Sequence, residues 1–387
     1  MSDPTNLSGQ GVVGGLTSLT SLTMEQAKAA LATVKDPATG RELLADGRAE
    51  LSLGTGEHSG ELLLKVDLIS PGYPLRGELD AALRAALEPL CGEAGVLLRI
   101  EYGLRVPSKP ARQDLNRLPT VKNIIAVAAG KGGVGKSTVS VNIAMALKQM
   151  GARVAILDAD IYGPSVPKML GTASRETSTT AEGDRISPAI FRGIPVMSVA
   201  FFVEPGSAVI WRGPMIHKLL KQFLEDVVWG EIDYLIVDLP PGTGDAQLSL
   251  AQLIPITGAV IVTTPQEVAL IDVRRAVNMF NKLEVPILGV VENMSHYTCP
   301  ACGHHDNICA RGGGKTLARE LGVELLGPVP IDNRVSYGGE SGVPVVEGAP
   351  GSEQARVLNE VAARAAFAVS KASATGPKRS SLLRTVS

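Results

Sequence analysis

The sequence predicts an α/β protein in which helices flank a parallel β-sheet, with a small α+β domain on its N-terminal side. Five apolar segments between residues 124 and 291 alternate with stretches of helical periodicity. These segments are apolar throughout, which is typical of strands buried on both faces of a parallel sheet. A stretch with three prolines separates them from the shorter N-terminal region, as expected for a linker between two domains.

The chain divides by composition into five parts. Residues 1–22 are rich in Gly, Ser, Thr and Leu and predict a flexible leader, while residues 371–387 are small and polar and predict a disordered tail. Between them we expect a small α+β domain at 23–105, a linker at 106–120 and a large domain at 121–370. The expected elements of the small domain are helices at 24–34 and 75–90 and strands at 62–69 and 96–102. The expected strands of the large domain are 124–129, 154–157, 234–237, 260–262 and 287–291, and its last helix is 352–370.

Charge and hydropathy narrow the possible functions. Lys and Arg number 37 against 39 Asp and Glu, so the formal net charge is -2, and no global charge favours a nucleic-acid or membrane partner. Aromatic residues make up only 4%, which is few for a base-stacking surface. No apolar run approaches the roughly 20 residues of a membrane helix, and the N-terminus lacks the basic start and apolar core of a secretory signal. We therefore expect a cytoplasmic protein.

A phosphate-binding motif follows the first strand of the large domain. Residues 130–137 read Gly-Lys-Gly-Gly-Val-Gly-Lys-Ser and fit G-x-x-x-x-G-K-[ST] between a predicted strand and a predicted helix. Backbone N–H groups of such a loop bind phosphate oxygens, and we expect Lys136 to reach the β- and γ-phosphates and Ser137 to coordinate Mg²⁺. An ordinary glycine-rich turn is the alternative, but it rarely lands on a strand-to-helix junction. The residues predicted to bind ATP here are Gly130, Lys131, Gly132, Gly133, Val134, Gly135, Lys136, Ser137 and Thr138.

Acidic residues follow two further strands of the predicted sheet. Asp158 and Asp160 come at the carboxyl end of the second strand, where open α/β sheets bind ligands. Asp238 ends the third strand, and a carboxylate there is costly unless it meets a cation or donors, which hydrated Mg²⁺ supplies. The loop 240–245 follows, and its Gly242 N–H could sense the γ-phosphate. A capping role for Asp158 or Asp160 is the alternative.

The spacing of the cysteines indicates metal or redox chemistry. Of the four cysteines, Cys299, Cys302 and Cys309 lie within eleven residues, whereas a disulfide framework scatters its cysteines. The turn 299–303 brings two thiols together, and a stable metal site needs about four ligands. One chain could complete a zinc site with Cys309 and a nearby histidine, or two chains could each supply a Cys-x-x-Cys pair to one iron–sulfur cluster. A thioredoxin-like dithiol and an inert buried pair are further alternatives.

The second lysine of the phosphate loop, Lys131, resembles the signature of the deviant Walker A group, which includes MinD/ParA partition proteins, nitrogenase iron protein and Mrp. In this group the extra lysine reaches across a dimer to the partner's nucleotide, so the resemblance implies an ATP-dependent homodimer. It also implies that Asp160 positions or activates the attacking water and that Asp158 supports Mg²⁺. The predicted catalytic residues are therefore Lys131, Lys136 and Asp160. A solvated loop lysine is the alternative role of Lys131.

Residues 123–350 resemble the Mrp/ApbC family of iron–sulfur cluster carriers along their whole length. The matching stretches are Leu-Asp-Ala-Asp-Ile-Tyr-Gly-Pro-Ser at 157–165, Trp-Arg-Gly-Pro-Met at 211–215, the segment 238–245, and Glu-Asn-Met-Ser at 292–295, which leads into the cysteine pair. Partition ATPases share the phosphate loop and the acidic strand ends but lack the Trp-Arg stretch and this Cys-x-x-Cys. The combination therefore favours the carrier family.

This resemblance implies a P-loop NTPase fold and a role in cluster delivery. The family assembles or carries a [4Fe–4S] cluster bridged between two subunits and delivers it to apo iron–sulfur proteins. Cys299 and Cys302 are then the expected ligands, Cys309 lies outside the family's core pair, and cluster assembly scaffold proteins are expected partners. Asn293 resembles the asparagine that recognises adenine in related ATPases, with strand capping as the alternative. ATP binding and hydrolysis are expected to switch the dimer and so to control transfer.

The small domain is similar, over residues 24–105, to the iron–sulfur assembly domain often fused to these carriers. The reactive cysteine of that domain lies in a Gly-Cys-Pro-like turn. Here residues 71–74 read Pro-Gly-Tyr-Pro, with Tyr73 in place of the thiol. Because a phenol is a poor cluster ligand, we predict a docking or regulatory role for the domain. Cys91 follows a helix rich in Leu and Ala and is predicted to be a core residue.

Two other functions fit part of the sequence. A MinD/ParA-like positioning ATPase with a structural zinc site would carry a basic amphipathic tail, and the basic residues of 378–384 are too few for one. A nitrogenase-like electron-transfer protein shares a bridged cluster, but its cluster cysteines are widely separated in sequence.

Overall fold

The structure is a computed structural model, and it describes residues 22–54, 58, 60–108, 118–161, 163–171, 178–179, 185–202, 213–242, 245–299, 301–308 and 312–375. Several predictions lie outside these residues, namely those for the leader up to residue 21, most of the linker, residues 211–212 and 243–244, Cys309 and the tail from residue 376. The chain forms two compact units. The first comprises residues up to 66 together with 77–102, and the second comprises 67–76 and 103 onward.

The N-terminal elements are α1 (Met24–Ala32), β1 (Ala49–Leu53), β2 (Glu61–Leu68), α2 (Arg76–Ala94) and β3 (Leu97–Leu104). The strand order is β1-β2-β3, and β1 pairs with β2 antiparallel. The side chain of Thr23 caps the first turn of α1. The buried residues of α2 recur every four positions, at Leu79, Leu83, Leu87 and Cys91. Cys91 is only 2% exposed, so it is the core residue that the sequence predicts.

The second unit is built on a nine-stranded sheet. The strands in chain order are β4 (Val121–Ala129), β5 (Val154–Asp158), β6 (Ser178–Thr179), β7 (Ile186–Ser187), β8 (Ala189–Phe191), β9 (Ile194–Ser198), β10 (Ile232–Asp238), β11 (Gly258–Thr263), β12 (Ile287–Thr298), β13 (His305–Asp306) and β14 (Leu325–Ile331). β6 and β7 pair separately, and the large sheet has the order β13-β12-β11-β4-β10-β5-β9-β8, with β14 also on β12. β4, β5, β9, β10, β11, β12 and β14 pair in parallel. The predicted fold class is confirmed, with antiparallel pairs at β8–β9 and β12–β13.

Helices flank this sheet. In chain order they are α3 (Lys136–Gln149), α4 (Val166–Met169), α5 (Gly213–Glu225), α6 (Asp245–Leu253), α7 (Glu267–Lys282), α8 (Gly313–Leu321), α9 (Asn333–Ser341), α10 (Val345–Gly348) and α11 (Glu353–Thr375). Residues 371–375, predicted to begin the disordered tail, are helical. The reason is that α11 is tied to the sheet by buried serines: Ser370 shares a 2.6 Å hydrogen bond with the Tyr234 hydroxyl, and Ser373 donates to Asn123 Oδ1 at 2.9 Å.

The carboxyl ends of the parallel strands meet at one edge of the sheet. β4 leads into the phosphate loop, β5 ends at Asp158, and β10 ends at Asp238. The strand register places Asp158 directly beside Asp238. Ligands of open α/β sheets bind at such an edge, and the phosphate loop, Asp158 and Asp238 come together there. Within the described residues, no helix combines the length and hydropathy that crossing a membrane requires.

Candidate functional site

The phosphate loop joins β4 to α3 and surrounds a cleft of about 180 Å³. Gly135 is the N-cap of α3 and has a φ of +83°, a left-handed conformation that favours glycine. The residues lining the cleft are Lys131, Gly132, Gly133, Gly135, Lys136, Ser137, Thr138, Asp160, Ser165, Met169 and Pro241. Of the predicted loop residues, Gly130 and Val134 lie behind this surface and are buried. The N-terminus of α3 and the N–H groups of the loop are suited to binding the phosphate groups of a nucleotide.

Lys136 and Asp238 form a buried ion pair at the base of the cleft. The Lys136 ammonium lies 2.7 Å from Asp238 Oδ2 and 3.5 Å from an Asp160 carboxylate oxygen. Ser137 donates to Asp238 Oδ2 and Ser140 donates to Asp238 Oδ1, each at 2.6 Å. Asp238 is fully buried, so these three donors offset the cost of removing its charge from water.

Asp158 and Asp160 have different surroundings although they are two residues apart. Asp160 lines the cleft, whereas Asp158 is fully buried behind it. Asp158 accepts hydrogen bonds from the Ser198 hydroxyl at 2.9 Å and from the Asp160 N–H at 3.2 Å. Burial, and secondarily the neighbouring Asp238 charge, raise the pKa of Asp158 to about 8. Only Asp160 is therefore placed to meet a water molecule in the cleft.

The donor set near Ser137 fits a magnesium ion. The Ser137 hydroxyl and the carboxylates of Asp238 and Asp158 supply hard oxygen ligands, which Mg²⁺ prefers. Burial and the neighbouring Asp238 charge raise the pKa of Asp158, and a nearby cation opposes that effect. The predicted role of Asp158 in supporting Mg²⁺ stays a prediction.

Gly242 and Asn293 both contact the loop region through hydrogen bonds. The Gly242 N–H donates to the Ala129 carbonyl at 3.0 Å, so sensing a γ-phosphate requires it to exchange that partner. Asn293, on β12, donates from Nδ2 to the Val134 carbonyl at 2.8 Å. Both predicted nucleotide contacts are thus beside the cleft, and the adenine-binding role of Asn293 stays a prediction.

Lys131 faces the cleft and is partly exposed. Lys136, five positions later, is 6% exposed and ion-paired. Across the part of the chain that the structure describes, Lys131 makes no ion pair. The side chain is therefore available to a phosphate group or to a second protein.

The thiols of Cys299 and Cys302 lie on a hairpin turn that continues β12. Thr298 pairs with His305 of β13, the Cys299 N–H donates to the His304 carbonyl at 2.9 Å, and the Gly303 N–H donates to the Cys299 carbonyl at 2.8 Å. Gly303 has a φ of +72°, which closes the turn as the sequence predicts. Both thiols are free, and Cys302 is exposed.

Backbone donors favour the thiolate form of Cys299. Hydrogen bonds from the N–H groups of Ala301 and Cys302, together with the Cys302 side chain, lower the pKa of the Cys299 thiol below its ordinary value. The thiolate is the form that binds metal. The turn is thus suited to soft metal ions or to iron–sulfur chemistry.

Two of the histidines near this turn, His296 and His305, have other partners. Thr298 Oγ1 lies 3.1 Å from His305 Nδ1 and donates to Glu353 at 3.2 Å, and the His296 ring also lies 3.6 Å from Glu353. Over the described ranges, which omit Cys309, no three His, Cys, Asp or Glu side chains are arranged to hold a metal ion. A single-chain zinc site therefore has no complete ligand set among these residues.

Tyr73, which replaces the expected thiol, is buried at 4% exposure within the second unit. Its ring meets Phe367 of α11 edge-on, with centroids 5.5 Å apart. A Cβ at Gly72 would lie 2.8 Å from the Ala363 Cβ and from the Met150 sulfur. This turn is therefore filled with apolar contacts instead of an accessible ligand, and the docking or regulatory role stays a prediction.

Four residues that contribute to the site were not predicted from the sequence. Ser140 and Ser198 hold the carboxylates of Asp238 and Asp158, and Ser165 and Met169 line the cleft. A sequence signal exists for Ser140, because it lies four residues after Lys136 on a helix and therefore on the same face. Ser198 is found only from the pairing of β5 with β9, which places it opposite Asp158.

Residues 120–366 match the sequence model of the ParA group described as NUBPL iron-transfer P-loop NTPase. The chain belongs to this family. A Deinococcus radiodurans protein named iron-sulfur cluster carrier protein is 47% identical over 337 residues, which cover 86% of this chain and 92% of the relative. The Escherichia coli K12 protein of the same name is 43% identical over 309 residues, covering 78% of this chain and 82% of the relative.

A solved structure supports the P-loop NTPase assignment. The nucleotide-binding protein of Archaeoglobus fulgidus, in complex with ADP and containing Co, superposes with a TM-score of 0.53 at 38% identity. The match covers 58% of this chain and 88% of that protein. The resemblance to iron–sulfur carriers drawn from the motifs is therefore confirmed at the level of the family, and the chain is a P-loop NTPase.

Proposed function

We propose that this P-loop NTPase binds and hydrolyses ATP and carries an iron–sulfur cluster, as cargo, to apo iron–sulfur proteins. The observation that carries the proposal is the pair of free thiols, Cys299 and Cys302, on a turn at the end of a strand that also contacts the phosphate loop. Relatives named iron-sulfur cluster carrier protein, at 47% and 43% identity, support the same function.

The charged groups that line or lie beneath the cleft account for ATP binding and hydrolysis in this proposal. Loop N–H groups and the N-terminus of α3 bind the phosphate oxygens, and Lys136 exchanges its contact with Asp238 for the β- and γ-phosphates. Ser137 and Asp238 would hold a magnesium ion, which would neutralise phosphate charge. Asp160, which faces the cleft, orients the attacking water.

The cargo part of the cycle requires two copies of the chain. A [4Fe–4S] cluster has four cysteine ligands, and the described turn offers two thiols. A homodimer with the two turns facing each other supplies four. Lys131, which lines the cleft and makes no ion pair among the described residues, reaches the nucleotide of the partner subunit in such a dimer, so that ATP and cluster both bridge the same pair of subunits.

Cysteine replacement under anaerobic conditions tests the cargo proposal. Purified protein is reconstituted with iron and sulfide, and iron content, the visible absorption spectrum and transfer to an apo iron–sulfur protein are measured. We expect Cys299→Ser and Cys302→Ser each to lose the cluster. Cys91→Ala is the matched control, because that thiol is buried on α2 and 2% exposed, and it should load and transfer cluster normally.

The same experiment distinguishes between the possible metal groups bound by Cys299 and Cys302 and between their functions. Uptake of zinc with no iron–sulfur absorption would indicate a metal site of another kind. Full, transferable cluster in the Cys299→Ser, Cys302→Ser double variant would refute the proposal. Cluster that loads but reduces acceptors without being transferred would indicate an electron-transfer protein.

A further inference from the structure

Asn293 is in direct contact with the backbone of the phosphate loop. Its Nδ2 donates to the Val134 carbonyl at 2.8 Å, and the residue is 8% exposed. A Cβ at Gly135 would lie 2.2 Å from the same nitrogen. The amide of Asn293 therefore occupies the space that a side chain at 135 would need, and it fixes one peptide unit of the loop.

The fixed peptide unit has a consequence for phosphate binding. In a trans peptide the C=O and N–H bonds point in opposite directions. Because Asn293 holds the Val134 carbonyl, the N–H of Gly135 faces away from β12. Gly135 lines the cleft. The Asn293 side chain thus orients one of the backbone donors that a bound phosphate meets.

The strand that carries Asn293 is irregular at the next residue. Met294 has a φ of +56°, a left-handed conformation that is uncommon for residues other than glycine. The pairing of β12 with β14 shifts register between Asn293 and Tyr297. Strained backbone of this kind persists only where its surroundings hold it, and here the contact with the loop is immediately before it.

The same strand leads to the thiols. From Asn293 the chain continues through β12 to Thr298 and then to Cys299, a path of about 20 Å when extended. Its far end is held by pairing with β13 and by the Thr298 hydrogen bond to Glu353 of α11. Asn293 and the thiol turn are thus connected by a single strand, which pairs with its neighbours at Asn293 and again at Tyr297 and Thr298.

We propose that Asn293 is a positioning residue that couples the phosphate loop to the thiol turn. Nucleotide in the loop alters the Val134 carbonyl contact, the Met294 kink transmits the change along β12, and the geometry of Cys299 and Cys302 differs between the two states. The coupling deepens the proposed carrier function and rests on it for the identity of the cargo. Coupling of this kind is reciprocal, so cargo at the thiols must alter ATP affinity by the same factor.

Thiol reactivity in the cluster-free protein tests the coupling without using transfer activity. The rates at which iodoacetamide alkylates Cys299 and Cys302 are measured with no nucleotide and with saturating ATP and Mg²⁺, with saturation established by a separate binding titration. We expect a change of about fivefold or more in the unmutated protein, the lower end of typical coupling. In Asn293→Ala and the near-isosteric Asn293→Asp, which places an acceptor against the Val134 carbonyl, the change should fall below about twofold.

Asn123→Ala is the matched control. Asn123 is likewise a buried asparagine, and its Nδ2 donates to a backbone carbonyl, that of Pro107, at 2.9 Å. It lies near the start of β4, at the opposite end of the sheet from the loop. The control variant should lose stability as the Asn293 variants do, yet keep the nucleotide response of the thiols.

A measurement on the unmutated protein covers the case in which the variants do not fold. Hydrogen exchange of residues 293–299 should change on ATP binding, and unchanged exchange there overturns the coupling. An unaltered thiol response in both Asn293 variants also overturns it. If those variants instead lose only their preference for ATP over GTP, Asn293 reads the base and does not couple the sites. Cluster loading by the unmutated protein decides the carrier function separately from all of these outcomes.

Discussion

Asp238 accepts hydrogen bonds from Lys136, Ser137 and Ser140 while fully buried, so the three donors and the carboxylate act as a unit. Removing one charge of such a pair leaves the other without compensation. Removal of Lys136 should therefore affect both folding stability and ATP turnover, and each effect has to be measured separately.

Lys136→Ala should lower ATP turnover by about 10²- to 10³-fold, the typical effect of deleting one group that stabilises charge in a transition state. It should also lower the free energy of unfolding by on the order of 3 kcal/mol, because Asp238 keeps only its two hydroxyl donors. Steady-state phosphate release and calorimetric unfolding measure the two effects. Lys148→Ala, at the other end of α3, is the control, and equal turnover losses in both variants would contradict the assignment.

Asp158 gives the stability a specific pH dependence. Burial raises its pKa from 3.8 to about 8, so between these values the folded protein keeps a proton that the unfolded chain releases. The stabilisation is complete below about pH 4 and is lost as the pH rises through 8, with a slope of at most about 1.4 kcal/mol per pH unit.

The Asp158→Asn variant has no carboxyl proton to release at this position. Its free energy of unfolding should therefore not fall with rising pH at the same slope. We expect the unfolding temperature of the unmutated protein to fall relative to that of the variant as the pH rises from 5 to 8. Calorimetry at several pH values, without nucleotide or Mg²⁺, measures the difference. Parallel curves for the two proteins would mean that Asp158 is ionised throughout.

At the scale of the elements, the sequence was most informative where burial is uniform. The strands at β4, β5, β10 and β11 were predicted because nearly every residue in them is apolar and buried on both faces. β12 was predicted to end at 291 but runs to Thr298. Its second half is mostly polar and therefore lacks the apolar pattern, and pairing with β14 and β13 on either side of the left-handed Met294 continues the strand.

In the candidate site, the sequence predicted the motifs that are contiguous in the chain and missed the contacts between distant segments. The phosphate loop and the cysteine turn are contiguous motifs, and their residues are found at the predicted sheet edge and on a turn, as expected. Ser198 depends on which strand lies beside β5, and Asn293 meets Val134 across 159 residues of chain. Such contacts follow from strand order, which periodicity within a single segment does not reveal.

At the scale of the whole molecule, the two lysines of the phosphate loop allow ATP binding to be tested separately from dimer formation. Lys136 is buried and paired within its own subunit, whereas Lys131 faces the cleft and has no ion-pair partner among the described residues. If Lys131 serves the nucleotide of a second subunit, its loss should leave ATP binding to the monomer nearly intact. Dimerisation, and the hydrolysis that depends on it, should then fail together.

Sedimentation of Lys131→Ala with a non-hydrolysable ATP analogue tests this separation. Truncating one partner of a buried charge pair at an interface costs about 2–5 kcal/mol, so the dimer dissociation constant should rise by roughly 30-fold or more. Lys282→Ala, at the exposed end of α7, should dimerise like the unmutated protein. A Lys131→Ala variant that still forms the ATP-dependent dimer would place the lysine in its own subunit's cleft. The bridging of ATP between subunits would then have to be abandoned, while cargo bridging through Cys299 and Cys302 would remain open to its own test.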